Sequence, residues 1–397
     1  MGAALLTLRF RRAGHWSVWA TIAVAVATVT SLVAGSALFL GAVGPASADL
    51  QIAARCAPTT GLIVKADLHP EDVGRLGARH AAVAAVAPGR LQPPRRLLTF
   101  AAEGRPAAGT AGVAEPVTLA AKQGALDHLR VVQGEARSDA ALVPRSAADR
   151  LGLGPGGRLR VRLGTAEADL PVGGVYDDLR LPLEPYWCYQ RPLLLPPDDF
   201  SLVTPPAFVV VPERLILALV REQGLVAEAT WEAPLAVPTP SLAALRATAA
   251  SVAGFRDSAP DAGPFAVEEF AHPVQIVTDL PFVAMRATAV RDDVRRVVLP
   301  LAVATAVAAT LMVALVGALW VDRHQKEVAL LEALGSSRAA VVVRALAEVL
   351  PAAVLGAGLG VLLALVVVDA AGPRSVGARE AGPVAPLAGV ALAGACA

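Results

Sequence analysis

The sequence predicts a membrane protein: an α-helical transmembrane bundle of three complete spans plus a truncated fourth, with a large α+β extracytoplasmic domain between spans 1 and 2. Three observations lead there. Apolar residues make up 55% of the 397, more than soluble domains usually carry. Three apolar runs, 18–43, 297–321 and 341–368, are each long enough to cross a bilayer as a helix of about 20 residues. Residues 44–277 contain no such run and are punctuated by Pro and Gly, as a domain outside the membrane is.

The first span follows Arg9, Arg11 and Arg12, with Trp16 and Trp19 at its entrance. Positive charge before the span places residues 1–17 in the cytoplasm, and the tryptophans suit an interfacial belt. Ala46-Ser-Ala48 resembles the cleavage site of a signal peptide. The apolar run is longer than the roughly 7–15 residues of a signal core, so it is read as a retained span.

The domain at 44–277 is long enough for its own core, in one or two subdomains. Leu62-Ile-Val64 opens a strand within 61–68, and Pro70-Glu-Asp72 opens a helix with acids in its first turn, where the helix dipole favours them. Ser146 with Asp149 three residues on has capping-box spacing, and Leu151-Gly152 ends that short helix. Arg158–Leu163 alternates as a half-buried strand does, and 168–176 forms a second strand. Further on come a strand at 208–211, a helix from Pro212 to Gln223 ended by Gly224, a strand at 226–231, and a helix capped by Ser241 that runs to about Phe255. The Pro-rich stretch 178–206 holds Tyr186-Trp-Cys-Tyr189, aromatics that either pack a loop or bind a ligand. Cys56 and Cys188 lie in this domain and Cys396 in the apolar tail. Outside the cytoplasm the first two can form a disulfide; otherwise they are two thiols.

From Thr278 the spacing becomes helical. Leu280, Val283, Ala284, Ala287, Val290 and Val294 recur at three- and four-residue steps, predicting a stalk helix over 278–296 that leads into span 2. Between spans 2 and 3, residues 322–340 form a charged amphipathic helix and turn, with Val328, Leu331 and Leu334 on one face and Gly335 as a left-handed cap. Arg344 and Glu348, four apart near the cytoplasmic end of span 3, either form a functional pair or snorkel to the interface. Pro351 is expected to kink this span. Gly356 and Gly360 form a GxxxG step, suited to close packing of another helix. Residues 369–385 return to polar sequence outside the membrane, and 386–397 read as the start of a fourth span, as in a fragment of a longer chain.

The segment 323–348 resembles the FtsX/MacB-like permeases of ABC transporters. There a span is followed by Arg-x-x-x-Glu-[Val/Ile]-x-x-Leu-[Arg/Lys]-Ala-[Leu/Ile]-Gly-[Ala/Ser]-[Ser/Thr], then by a Gly-rich span opening with an acid. The matches are Arg323, Glu327, Val328, Leu331, Ala333, Leu334, Gly335 and Ser336, followed by Glu348 and Gly356, Gly358 and Gly360. Glu332 departs from the pattern, since a basic residue is usual there. Leu151-Gly-Leu-Gly-Pro-Gly156, Arg158–Leu163 and Val172-Gly-Gly-Val-Tyr176 resemble the extracytoplasmic domain of the same family.

The resemblance implies a multi-pass permease subunit in a bacterial cytoplasmic membrane. A cytoplasmic ABC ATPase dimer, which binds ATP and Mg, would grip Arg323, Glu327, Val328, Leu331, Leu334 and Gly335. A second permease unit and membrane lipid would be further partners, and the outer domain would act on a lipoprotein, peptide or lipid.

The chain itself carries no GxxxxGK[ST] loop, HExxH, CxxC or GxSxG, so no catalytic residue, metal site or cofactor of its own is expected. Acid pairs such as Asp177-Asp178, Asp198-Asp199 and Glu268-Glu269 are sequence neighbours, which point to opposite faces of a strand. A formal net charge of +1 supplies no basic field for nucleic acid. A membrane receptor with an extracytoplasmic ligand-binding domain is the alternative. It is disfavoured because the chain re-enters the membrane soon after span 2, where a receptor carries a signalling module. A membrane-anchored enzyme is disfavoured by the missing catalytic constellation.

Overall fold

The structure, a computed structural model, describes residues 2–107, 114–164, 166–179, 181–195, 205–237, 241–260, 263–266, 274–333 and 338–372. For residues 2–18 and most of 319–348 it describes the backbone alone. The chain divides into two compact units: Met1–Ala48 with Arg286–Ala397, and Asp49–Met285.

The first unit is helical. Helix α1 covers Gly2–Ala53, α7 covers Leu280–Ala333 and α8 covers Arg338–Ala371. Within them, Trp19–Ala53, Leu280–Met312 and Val349–Ala371 are long and apolar enough to cross a membrane. Val297, Leu301 and Leu311 of α7 are each more than 60% exposed. Water penalises such a surface, whereas lipid accepts it. The helices run further than the apolar runs do. α1 continues through Pro45 to Ala53, and α7 passes without a break into the segment expected to form a separate surface helix. Beyond Pro300 that stretch holds no further proline, and Ala, Leu, Gln, Glu, Lys and Arg all favour helix. Helix α8 likewise continues through Pro351.

Small residues set how α1 and α8 meet. A side-chain carbon at Gly356 would stand 2.4 Å from the carbonyl oxygen of Ala23, and one at Gly360 would stand 2.4 Å from that of Ala27. Both obstacles are backbone, so neither can swing aside. Only glycine permits this approach, the usual role of small residues between membrane helices. Matched positions rise together along both chains, so the two helices run parallel. Thr30, buried in α1, keeps its hydroxyl satisfied by donating to the Val26 carbonyl at 2.8 Å. A turn further on, Ala34, Leu38, Ala364 and Val368 close the seam.

The second unit is α+β. Its strands are β1 (Leu62–Leu68), β2 (Arg95–Pro106), β3 (Glu115–Lys122), β4 (Val131–Gly134), β5 (Ala141–Pro144), β6 (Arg158–Leu163), β7 (Ala166–Tyr176), β8 (Ala207–Val210), β9 (Ala227–Ala233) and β10 (Gln275–Val277). They form one mixed sheet in the order β10-β1-β9-β2-β3-β8-β5-β7-β4, with β6 pairing β2 and β7. Only β3/β8 and β5/β7 are parallel among its pairs. Helices α2 (Leu76–Ala84), α3 (Arg145–Leu151), α4 (Arg191–Leu194), α5 (Glu213–Gln223) and α6 (Leu242–Ser258) complete the unit. Gly152 and Gly224 end α3 and α5 in the left-handed conformation, and the Ser241 hydroxyl caps α6 by accepting from the Ala244 amide at 3.1 Å. Ser146 behaves otherwise than its spacing with Asp149 suggests. It lies inside α3, whose N-cap is Pro144, and its amide and hydroxyl both donate to Asp178.

Entry to and exit from this unit are tied together. β1 pairs with β10, Arg55 bridges Asp279 at 2.8 Å, and the Thr278 hydroxyl donates to the Gly61 carbonyl at 2.6 Å. A domain inserted between two helices needs its ends adjacent in this way.

The α1–α8 seam predicts a cross-link. A side-chain carbon at Gly35 would lie 3.8 Å from Ala364 Cβ, the mean separation across a disulfide, about 3.8 Å. Gly35→Cys with Ala364→Cys should therefore close on mild oxidation of the full-length protein. Adding Gly356→Leu, an overpacking change worth roughly 1–3 kcal/mol, should cut the yield severalfold. Unchanged yield would show that the glycine step does not set the seam.

Candidate functional site

Two regions carry the candidate residues. Positions 323, 327, 328 and 331 lie on the last turns of α7, with 323, 327 and 331 at four-residue steps and therefore on one stripe. Their side chains, and Leu334 and Gly335 altogether, lie outside the described residues. Arg344 and Glu348 fall on the backbone of α8 four positions apart and also lie outside the side-chain description. Residues 386–397, read as the start of a further span, and Cys396 are likewise outside it.

The second region is one face of the sheet. Paired residues share a face and alternate along each strand. Registers of β1 with β9, β9 with β2 and β2 with β3 thus place Leu62, Val64, Trp231 and Leu98 on one face and Lys65, Asp67, Glu228, Thr230, Glu232, Leu97, Thr99, Thr118 and Lys122 on the other. The first face is apolar, with Trp231 edge-on to Phe265 at 5.4 Å. The second is polar, and only part of it is covered.

The cover comes from the Pro-rich segment. Tyr186 and Trp187 are buried among Leu97, Ala120, Leu142, Tyr176, Phe208 and Val210. Their polar tips are satisfied, Tyr186 donating to the Gln123 carbonyl at 2.9 Å and Trp187 to the His128 carbonyl at 3.0 Å, as buried aromatics of this kind require. His128 stacks on Tyr186 at 3.9 Å. Of the aromatic cluster, then, Tyr186 and Trp187 pack the loop, and Tyr189 faces an open cleft. Next in the chain, Cys188 is bonded to Cys56, with Cα atoms 5.6 Å apart. The bridge joins the segment to the turn that follows α1, 132 residues earlier.

Beneath the cover lies a charge pair that sequence reasoning missed. Lys122 Nζ donates to Glu232 Oε2 at 2.8 Å, Gln190 Oε1 at 2.8 Å and the Tyr186 carbonyl at 2.7 Å. Gln190 returns a hydrogen bond to the other Glu232 oxygen. The two charged side chains are 0% and 2% exposed. The ammonium uses its three protons and also lies over the Tyr186 ring at 4.3 Å. Burial pushes the Lys122 amine below its ordinary value, against the opposing pull of Glu232. Two of the three acceptors come from the covering segment, so segment and sheet are mutually dependent. The available signal was a lysine closing the buried run Val117–Ala121 and a glutamate next to Trp231 in β9. Nothing local links residues 110 apart.

Among the described residues, no cluster of His, Cys, Asp and Glu is placed to hold a metal. Asp177 pairs with Arg145 at 3.1 Å and Asp178 accepts from Ser146, so that acid pair is divided between two partners. Asp198-Asp199 and Glu268-Glu269 lie outside the described residues.

Three helices long and apolar enough to cross a membrane, flanking an α+β unit in the chain, define a membrane protein. Residues 301–380, which include α8 and part of the apolar stretch of α7, match the family model described as FtsX-like permease C-terminal. A solved domain from Porphyromonas gingivalis, described as that of a permease protein, is similar at 14% identity with a TM-score of 0.28. The match covers 47% of this chain and 79% of that one, and at that score it adds nothing to the assignment. No curated protein matches the chain.

The buried pair gives a stability prediction. Lys122→Met leaves Glu232 charged and unpaired, a loss of about 3–5 kcal/mol. Lys122→Met with Glu232→Leu removes both charges and should recover most of it. Thermal unfolding of the full-length protein, followed by near-ultraviolet circular dichroism, separates the two; equal losses would contradict the pairing.

Proposed function

We propose that the chain is the permease subunit of an ABC transporter, in which a separate cytoplasmic ATPase dimer drives an extracytoplasmic α+β domain that acts on a lipoprotein, peptide or lipid. The observation that carries this reading is the permease-domain match over 301–380, which contains the whole segment 323–338. Support for the topology comes from α1 and α8. With the N-terminus inside and three spans, the first and third must run in the same direction, and these two helices are parallel.

On this reading Arg323 and Glu327 offer charge to the ATPase, Val328, Leu331 and Leu334 offer apolar contact, and Gly335 turns the chain towards α8. ATP and Mg belong to the partner, and hydrolysis is its chemistry. This chain's part is mechanical. α7 is a single helix from Leu280 to Ala333, so displacement of its cytoplasmic end travels along a hydrogen-bonded rod. The Gly356–Gly360 step holds α1 against α8 while α7 moves. The exposed apolar surface of α7 is where lipid, or a second permease unit in the same bacterial cell membrane, makes contact.

The test is purification of the full-length protein from its native membrane in mild detergent, with mass spectrometry of what stays bound. An ABC ATPase should co-purify and should be lost, at least about tenfold, with Glu327→Arg plus Leu331→Asp, changes that place like charge and a buried carboxylate in the contact. Retention of the ATPase by that variant would contradict these roles.

A further inference from the structure

The Cys56–Cys188 bridge links residues 132 positions apart and joins two parts of the α+β unit with different tasks. Cys56 sits in the turn between α1 and β1. That turn is fastened to the start of α7: Arg55 bridges Asp279 at 2.8 Å, and the Asp279 amide donates to the Thr59 carbonyl at 2.7 Å. Cys188 lies between Trp187 and Tyr189, in the segment that covers part of the polar sheet face. Both cysteines are only half-buried, whereas Tyr186, Trp187 and Gln190, on which the cover depends, are buried. A reductant can therefore reach the bridge without unfolding the cover first. Exposure of this kind separates labile disulfides from inert structural ones.

The rest of the cover's hold is noncovalent and interdependent. Lys122 Nζ takes the Tyr186 carbonyl and Gln190 Oε1 as two of its three acceptors, and Gln190 also donates to Glu232. Beside them, His128 Nδ1 lies 2.6 Å from Glu184 Oε1. Lifting residues 186–190 strips a buried ammonium of two acceptors at once, so these contacts form or fail together. While the bridge is closed, a cover that lifts stays tethered to the entry turn and falls back into place. Once the bridge opens, the connection from Tyr176, the end of β7, to Ala207, the start of β8, regains its freedom. The entropy of holding it down then falls on the noncovalent contacts alone.

We propose that Cys56–Cys188 is a thiol–disulfide exchange site, and that its reduction by a dithiol releases the cover from the sheet as a local unit. One thiolate of the dithiol attacks a sulfur of the bridge, forming a mixed disulfide and displacing the other cysteine, which takes up a proton. The second sulfur of the dithiol then attacks the mixed disulfide and displaces the remaining cysteine, which is protonated in turn. Two electrons and two protons pass to the cysteines, and the dithiol leaves as a disulfide. The released cover lets water reach Lys122 and Glu232, which stay on neighbouring parts of the sheet as solvated charges. The site belongs to the α+β unit and does not depend on an ATPase being the partner of this chain.

The test is hydrogen–deuterium exchange on the full-length protein in lipid nanodiscs, oxidised and after dithiothreitol without denaturant, with no ATPase present. Iodoacetamide labelling, read by peptide mapping, reports the state of each cysteine. Cys56 and Cys188 should both become labelled in the native protein. Exchange over residues 184–195, and in β3 and β9 around Lys122 and Glu232, should then rise at least about tenfold, the scale of one charge-assisted hydrogen bond. Helix α3 and strand β6 should keep their protection. Cys56→Ala with Cys188→Ala should show the reduced pattern with or without dithiothreitol; if that variant does not fold, reduction of the unaltered protein decides. Cysteines that react only after denaturation, or unchanged exchange over 184–195, would overturn the proposal. So would loss of protection throughout residues 49–285, the mark of a general staple.

Discussion

An ammonium group cut off from water needs an anion and a full set of acceptors, and Lys122 obtains both only when the covering segment is in place. Glu232 comes from the sheet, while Gln190 and the Tyr186 carbonyl come from the segment. Taking two charges out of water costs several kcal/mol per ion before their attraction is counted. That balance is favourable only with every proton matched, so the pair demands a fixed position for residues 186–190. Tyr186 and Trp187 fill the space beside it, and the bond from Cys188 to Cys56 joins the same turn to the start of the unit. Past the last matched acceptor the sheet face stays open, and the cleft at Tyr189 begins.

In the helical unit the corresponding constraint is steric. Lipid gives apolar side chains no reason to seek one another, so helix pairs depend on close packing. Gly356 and Gly360 bring the α8 backbone against the carbonyls of Ala23 and Ala27, and the small residues that follow keep the interval. Helix α7 is different: Leu280, Val283 and Ala287 in its first turns are buried, whereas Val297, Leu301 and Leu311 further along are exposed.

Much of this was legible in the sequence, because the signals were local. Apolar runs, the glycine caps at Gly152 and Gly224, the Ser241 cap and the alternation in Arg158–Leu163 each depend on residues within one turn or strand. The GxxxG step was also visible, but its partner on α1 was not, since Ala23 and Ala27 carry no distinguishing pattern. Ser146 misled because two acids competed for it. Asp149 had the spacing, and Asp178, 32 residues on, has the contact. The Lys122–Glu232 pair stayed hidden for the same reason, since sheet register brings together residues 110 positions apart. The long continuation of α7 past its apolar run was underestimated because a change from apolar to charged residues marks an environment, not the end of a helix.

The central claim is that nucleotide bound by a cytoplasmic ATPase changes the state of the α+β domain through this chain. Hydrogen–deuterium exchange across residues 49–285 tests it most directly, comparing the complete complex without nucleotide and trapped with ATP. The account predicts altered exchange in peptides from this unit when ATP is trapped, although no nucleotide touches it. Exchange that changes in the ATPase and stays constant throughout residues 49–285 would contradict it.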